Sequence, residues 1–254
     1  MKEIGLVLSG GGARGAAHIG VIQALEEFGI HATRISGTSA GSIVGALYAN
    51  GISPAEMLKI ISQVTMFNAV RPSLLPGGLL RMDGLQLLLK NHLPEDFSKL
   101  KKPLTIAAVE LKLGQVNYFD SGELIPAILS SCCIPGMFSP IRFKEALYVD
   151  GGILDNLPAR PLHEQCDVLI GSHCNRVTPW FDVTNMKVVI ERSLLMAIGA
   201  NTLQSKHLCD VVIEPHGLDK FSAFDIGKAK EIFDLGYKFT KENLRKADLA
   251  KILG

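Results

Sequence analysis

The stretch Ile4-Gly5-Leu6-Val7-Leu8-Ser9-Gly10-Gly11-Gly12-Ala13-Arg14-Gly15, followed after one helix by Arg34-Ile35-Ser36-Gly37-Thr38-Ser39-Ala40-Gly41, decides how the rest of the chain is read. Ile4 to Leu8 is a short apolar run of strand type that breaks into glycines, and a helical pattern then continues to near Phe28. Arg34-Ile35-Ser36 breaks in turn at a sharp corner, and a second helix runs through Ile43, Val44, Ala46 and Leu47. The order is strand, Gly-rich turn, helix, strand, corner, helix. A G-x-S-x-G elbow between strand and helix is the context in which that motif presents a reactive serine. Ser39 therefore reads as a nucleophile, and Gly10, Gly11 and Gly12 as the backbone amides that face its oxyanion.

A serine hydroxyl is a poor nucleophile at neutral pH and needs exposure on a tight turn, a base and donors for the oxyanion. Gly37 and Gly41 meet the first need, because side chains there would collide within the elbow, and the following helix directs its positive end at the developing charge. The glycine run meets the third, and one such donor is worth roughly 3 kcal/mol in the transition state. For the base, His92, His163, His173, His207 and His216 follow the serine, but none sits in a local signature. Asp150 is the better candidate. The run Ala146-Leu147-Tyr148-Val149 delivers it at a strand end, and Gly151 and Gly152 let the chain turn away. An ordinary aspartate pKa of about 3.9 makes a feeble base, so a direct Ser–Asp pair calls for a partly desolvated carboxylate.

Farther along, Pro54 to about Val64 and Asp83 to His92 read as helices, and Leu104 to Val109 and Val116 to Phe119 as strands. Glu123 to Cys132 is expected to be a helix that Pro135 cannot continue. Val168 to Gly171 and Val211 to Ile213 are short strands with a helix of about fifteen residues between them, ending near Leu208. Asp225 to about Lys246 has the spacing of one amphipathic helix. Met66 to Met82 is apolar without a steady period, which fits a loop packed on its own domain, a flap over the site, or a lipid-contacting patch. Alternating strands and helices call for a mainly parallel sheet covered on both faces.

With 254 residues, 47% of them hydrophobic, the chain has ample material for a large core. A formal net charge of +1 gives no electrostatic footprint for nucleic acid and leaves open a lipid surface reached through apolar contacts. No signal-type segment precedes the first strand and no apolar run approaches a membrane span, so the expected location is cytoplasmic, with contact at the inner membrane face left open. Cys132, Cys133, Cys166, Cys174 and Cys209 lack C-x-x-C spacing and read as free thiols rather than a metal site.

Four blocks carry a specific resemblance: Gly10-Gly11-Gly12-Ala13-Arg14-Gly15, His18-Ile19-Gly20-Val21, Gly37-Thr38-Ser39-Ala40-Gly41-Ser42, and Asp150-Gly151-Gly152-Ile153-Leu154-Asp155-Asn156-Leu157-Pro158. In this order they resemble the signature blocks of the patatin-like phospholipase family, and the similarity extends through Ser131 to Pro140 and Phe224 to Tyr237. The resemblance implies a three-layer α/β/α sandwich, a Ser39–Asp150 dyad, an oxyanion hole from Gly10 to Gly12 supported by Arg14, and hydrolysis of phospholipid or lysophospholipid acyl esters with no metal or other cofactor. It also implies one hydrolase domain over residues 1–254, with a variable cap-like segment at about 52–102. Cys132 and Cys133 depart from the small Ser or Ala residues usual in the family, and residues 52–102 match no family signature.

Three rival readings remain open. Gly10-x-Gly12-x-x-Gly15 also fits a dinucleotide-binding turn, but Ser36-Gly37-Thr38 stands where such a domain needs an acidic residue. A weakly active regulatory or scaffolding protein keeps the same fold, and a thioesterase or short-chain esterase keeps the same dyad.

Overall fold

All five residues of the first strand, β1 (Ile4–Leu8), are buried. A strand with no polar face must be covered on both sides. Leu6 and Leu8 enter a large apolar cluster with Ile19, Leu47, Ile128 and Phe233, whereas Val7 points the other way, into a smaller one with Leu157, Leu162 and Leu169. The computed structural model, which describes residues 2–63, 71–72, 80–178 and 186–253, accordingly has helices on either side of a central sheet.

In chain order the elements are β1, α1 (Ala16–Glu27), β2 (Arg34–Thr38), α2 (Ala40–Ala49), α3 (Pro54–Gln63), β3 (Arg71–Pro72), β4 (Leu80–Arg81) and α4 (Asp83–His92). There follow β5 (Leu104–Glu110), β6 (Gln115–Phe119), α5 (Leu124–Ser131), β7 (Ile141–Phe143), β8 (Ala146–Asp150), α6 (Arg160–His163), β9 (Val168–Ser172), α7 (Met186–Leu208), β10 (Val211–Ile213), α8 (Ala229–Asn243) and α9 (Lys246–Leu253). The main sheet runs β10-β9-β1-β2-β5-β8-β7, with β6 also paired to β5. Its body from β10 to β5 is parallel, and β6, β7 and β8 are antiparallel additions. Phe119, Phe143 and Tyr148 cluster at that antiparallel end, with ring centroids 5.2 to 6.4 Å apart.

The register around β5 determines which strand ends come together. A strand has two hydrogen-bonding edges. β6 occupies one of them along Ile106–Glu110. On the other, β2 pairs as far as Thr38 opposite Ala107, and β8 pairs from Tyr148 opposite Glu110 to Asp150 opposite Ala108. Since β2 and β8 each overlap β6 along β5, both must use the edge β6 leaves open. They meet there head to head, the tip of β2 against the tip of β8.

Three expectations are revised. The helix before Val211 is 23 residues long rather than about fifteen. The helix expected over Asp225 to about Lys246 is the shorter α8, which ends where Leu244 turns extended, and a further helix, α9, follows it, with the Asp248 carboxylate accepting from the Arg245 N–H at 3.1 Å, the reach-back half of a capping box. Strand β7, only three residues long, carries too little pattern to be read from sequence. The stretch Met66 to Met82, apart from the short β3–β4 pairing and the buried Met82, lies outside the described residues.

Helix α8 packs on α1 at close range. A Cβ at Gly236 would lie 2.2 Å from the Ala17 carbonyl oxygen, and one at Gly20 would lie 2.1 Å from that of Phe233. Gly236→Leu should therefore drive the helices apart and lower stability by about 1–3 kcal/mol or more in urea unfolding; an unchanged midpoint would show that the contact is loose.

Candidate active site

Ser39 sits between β2 and α2 with φ 52° and ψ −122°, a backbone conformation that a residue with a side chain adopts only when its surroundings hold it there. The holding groups are visible. A Cβ at Gly41 would lie 2.3 Å from the Leu8 carbonyl oxygen, and one at Gly37 2.4 Å from that of Gly41, so the corner presses against β1 and against itself. Gly15, at the start of α1, approaches Ala40 just as closely. The Ser42 hydroxyl donates to the Ser39 carbonyl at 2.6 Å.

Asp150 reaches the same place from the opposite direction, as the head-to-head meeting of β2 and β8 requires: both residues line one cavity, and the Ser39 hydroxyl lies near enough to the Asp150 carboxyl to lower its pKa. One short turn at the end of α5 holds both residues by their backbones. The Ser39 N–H donates to Ser131 Oγ at 2.8 Å, and the Ser131 hydroxyl donates to the Ala107 carbonyl at 2.6 Å. Two residues on, the Cys133 carbonyl accepts from the Asp150 N–H at 2.9 Å. Gly151 lies against the Ala107 carbonyl, and the Gly152 N–H donates to Asp150 Oδ1 at 2.8 Å. Burial lifts the Asp150 pKa from an ordinary 3.8 to about 6, while the nearby Ser39 hydroxyl and the Gly152 N–H pull it back.

The glycine loop faces this pair. The Gly10 carbonyl accepts from Asn175 Nδ2 at 2.7 Å, the Ser9 hydroxyl at 3.0 Å and the Cys174 thiol at 3.3 Å. In a trans peptide the C=O and the following N–H point oppositely, so the Gly11 N–H is turned away from those donors. Arg14 is buried and braces the arrangement, donating to Asn175 Oδ1 at 3.1 Å and to the Phe221 carbonyl at 2.8 Å. Gly12 has φ +58°, where a side chain would be strained. The Gly10 N–H, by contrast, is committed to the Asn156 carbonyl at 3.1 Å. That leaves Gly11 and Gly12, of the three glycines singled out, to offer amides to a ligand.

Behind the loop His18 is buried and neutral, its pKa lowered to about 4 by burial. Its Nε2–H donates to the Ser9 carbonyl at 2.9 Å, which leaves Nδ1 to accept from the Ser172 hydroxyl at 2.7 Å. Asn201 on α7 had no local signal in the sequence, yet it clamps the turn after Asp150. Its Nδ2 donates to the Gly152 and Ile153 carbonyls at 3.2 and 3.1 Å, and its Oδ1 accepts from the Asn156 N–H at 3.1 Å.

Ser39 opens into two apolar lobes. The first, of about 240 Å³, also takes in Asp150, Gly10, Gly11 and Arg14 and is walled by Ile190, Leu194, Leu195 and Ile198 of α7. The second, of about 220 Å³, runs beneath α2 between Ile43, Ile61, Met82, Leu85 and Phe138. Gly12, Ile134, Met137 and Phe224 border both. The five cysteines are free thiols, and Cys132, beside Ser39, is pushed up in pKa by burial and by the Asp150 charge.

Fold and site together define a three-layer α/β protein with a serine elbow facing a Gly-rich turn. The patatin-like phospholipase family model matches residues 6–163, and the chain belongs to that family. An uncharacterized NTE family protein of Mycobacterium tuberculosis is 38% identical over 163 residues, covering 63% of this chain and 45% of the relative. Human patatin-like phospholipase domain-containing protein 6 is 27% identical over 94% of this chain, and the lysophospholipase nte1 of Emericella nidulans 25% over 96%. The chain spans less than half the length of the mycobacterial relative and about a fifth of the other two. Among solved structures, VipD from Legionella pneumophila shares the fold over 95% of this chain and 66% of its own, with a TM-score of 0.56 at 18% identity.

Removing the Ser131 hydroxyl should leave the buried Ser39 N–H without a partner. Ser131→Ala is expected to lose about 1–3 kcal/mol of stability, and Ser131→Thr, which keeps the hydroxyl, should avoid most of that loss. Equal urea midpoints for the alanine variant and the parent would mean the bond contributes nothing.

Proposed function

We propose that the chain is a serine acyl hydrolase cleaving phospholipid or lysophospholipid esters from the cytoplasmic side of a membrane. The observation that carries this reading is the placement of Ser39 and a buried Asp150 on the wall of one largely apolar cavity. Asp150 takes the Ser39 proton as Oγ attacks the ester carbonyl, forming the tetrahedral intermediate. The amides of Gly11 and Gly12 hold its oxyanion, while Gly10, Asn175 and Arg14 keep the loop in position. Collapse to the acyl-enzyme returns the proton to the departing alcohol, and the same carboxylate then activates water to release the fatty acid. Residues 1–254 are read as one hydrolase domain, with about 52–102 as its variable cap.

Two features support a lipid substrate. Beyond the polar groups gathered near Ser39 in the first lobe (Arg14, Asp150, Asn156 and Asn175), the side chains lining the two lobes are apolar and suit hydrocarbon chains. The fungal relative bears the name lysophospholipase.

A fluorophosphonate probe followed by peptide mapping should modify Ser39, and Ser39→Ala should abolish both labelling and ester turnover while leaving the fold intact. Labelling at another residue would sink the assignment.

Turnover by the parent should rise with pH through about 6, as Asp150 ionises, and then level off. The stability effect has the opposite sign. Because the folded pKa is raised, Asp150 favours the native state most below its unfolded value of 3.8 and loses that contribution as pH climbs through about 6. Asp150→Asn should therefore be inactive yet more stable than the parent well above pH 6, by roughly 3 kcal/mol, with the gain vanishing in acid. Thermal melts across pH test this, and a variant less stable at every pH would contradict it.

A further inference from the structure

Helix α7 forms a wall of the first lobe and also faces outward. Met186, Ile190, Met196 and Leu203 are each more than half exposed, and Val189 and Leu194 more than a third. At 3.6 residues per turn these six side chains fall within one arc of about 180°. The positions between them on that arc are the exposed Ser193, Ala197 and Ala200 and, towards its edge, the half-buried Asn201. From Met186 to Leu203 no charged residue falls inside it. A water-facing helix ordinarily carries its charges on this side; an uncharged apolar face of this length marks a contact surface.

The face is continuous with the cavity. Ile190 and Leu194 belong to both, being exposed on the outside and lining the lobe that holds Ser39 and Asp150. Across the opening Phe224, also more than a third exposed, borders both lobes. Among the described residues, Ile190, Leu194 and Phe224 thus form an apolar path from the outer surface of α7 into the lobe that holds Ser39.

We propose that the outer face of α7 is the surface by which the protein lies on a lipid bilayer, so that an acyl chain passes from the membrane past Ile190 and Leu194 into the catalytic lobe. This rests on the reading of the site as a lipid ester hydrolase. A bilayer fits better than a second copy of the chain, because a protein seated on Ile190 and Leu194 closes the mouth, whereas a bilayer supplies substrate through it. The helix lies in the interface rather than crossing it: no helix among the described residues is long and apolar enough to span a membrane. With a net charge of +1 the contact is made by apolar area, so it needs no anionic lipid and persists in high salt.

The test separates docking from chemistry. Ser39→Ala protein, which does not consume the vesicles, is floated with neutral phosphatidylcholine vesicles in low and high salt, with and without the added pair Met196→Glu and Leu203→Glu. Neither residue of the pair lines the cavity. Binding in both salts, weakened more than about ten-fold by the glutamates, is the expected result. In the serine-intact protein the glutamate pair should leave kcat/KM for a soluble short-chain ester within about two-fold of the parent and cut turnover of vesicle lipid at least as far as it cuts binding. Absence of binding, binding indifferent to the glutamates, or a dimer in gel filtration that the glutamates dissociate would each overturn the proposal. Glutamate-sensitive binding by a protein that hydrolyses no ester would uphold the docking face while rejecting the hydrolase reading.

Discussion

Everything at the site depends on one constraint in the sheet: β5 has only two edges, and β6 fills one. Strands β2 and β8 must therefore share the other, and because one runs parallel and the other antiparallel to β5 they arrive tip to tip. Ser39 follows the last residue of β2, and Asp150 is the last of β8. Two side chains far apart in sequence are brought onto one cavity by backbone pairing, before any side-chain packing is considered. An all-parallel sheet could not do this, since its strand ends lie side by side at one rim. The antiparallel additions beyond β5 are thus what bring the two residues together.

Two further devices refine that placement. The turn from Ser131 to Cys133 grips both tips, one through a hydroxyl and the other through a carbonyl, and anchors itself on Ala107 between them. On the other side of the cavity, Arg14 holds Asn175, and Asn175 holds the Gly10 carbonyl. These polar groups are buried and hydrogen-bonded, as stability demands, and each bond also fixes the direction of a backbone amide near Ser39. The cost of the arrangement appears in Asp150, whose carboxylate is dehydrated enough to resist ionisation. A less buried carboxylate would ionise more readily and be a weaker base.

The elbow and the glycine loop were legible in the sequence because their local backbone demands restrict residue type: nothing larger than glycine fits where Gly41 meets the Leu8 carbonyl. Asp150 was legible through the strand that ends on it and the glycines after it. The gripping groups were not. Ser131 looks like any serine at a helix end, Asn201 like any polar residue in a helix, and Asn175 lies in a loop remote from the residues it orients. Gly10 illustrates a finer limit, since composition cannot tell a glycine that offers its amide from one that gives it to Asn156. The length of α7 was missed for a different reason. Apolar on the cavity side and on the outer side alike, it has no alternation of greasy and charged faces from which to count turns. The alternation that makes amphipathic α8 readable is missing from α7, whose outer face is now the proposed membrane contact.

The tip-to-tip meeting also has a bearing on biosynthesis. A loop that closes over so many intervening residues is entropically among the last contacts a chain makes. A ribosome-bound fragment reaching only as far as β5 would carry the elbow and the glycine turn, with the carboxylate still unsynthesised. On the reading proposed above, such a fragment has the nucleophile without its base, and ester cleavage waits on the docking of β8 against β5.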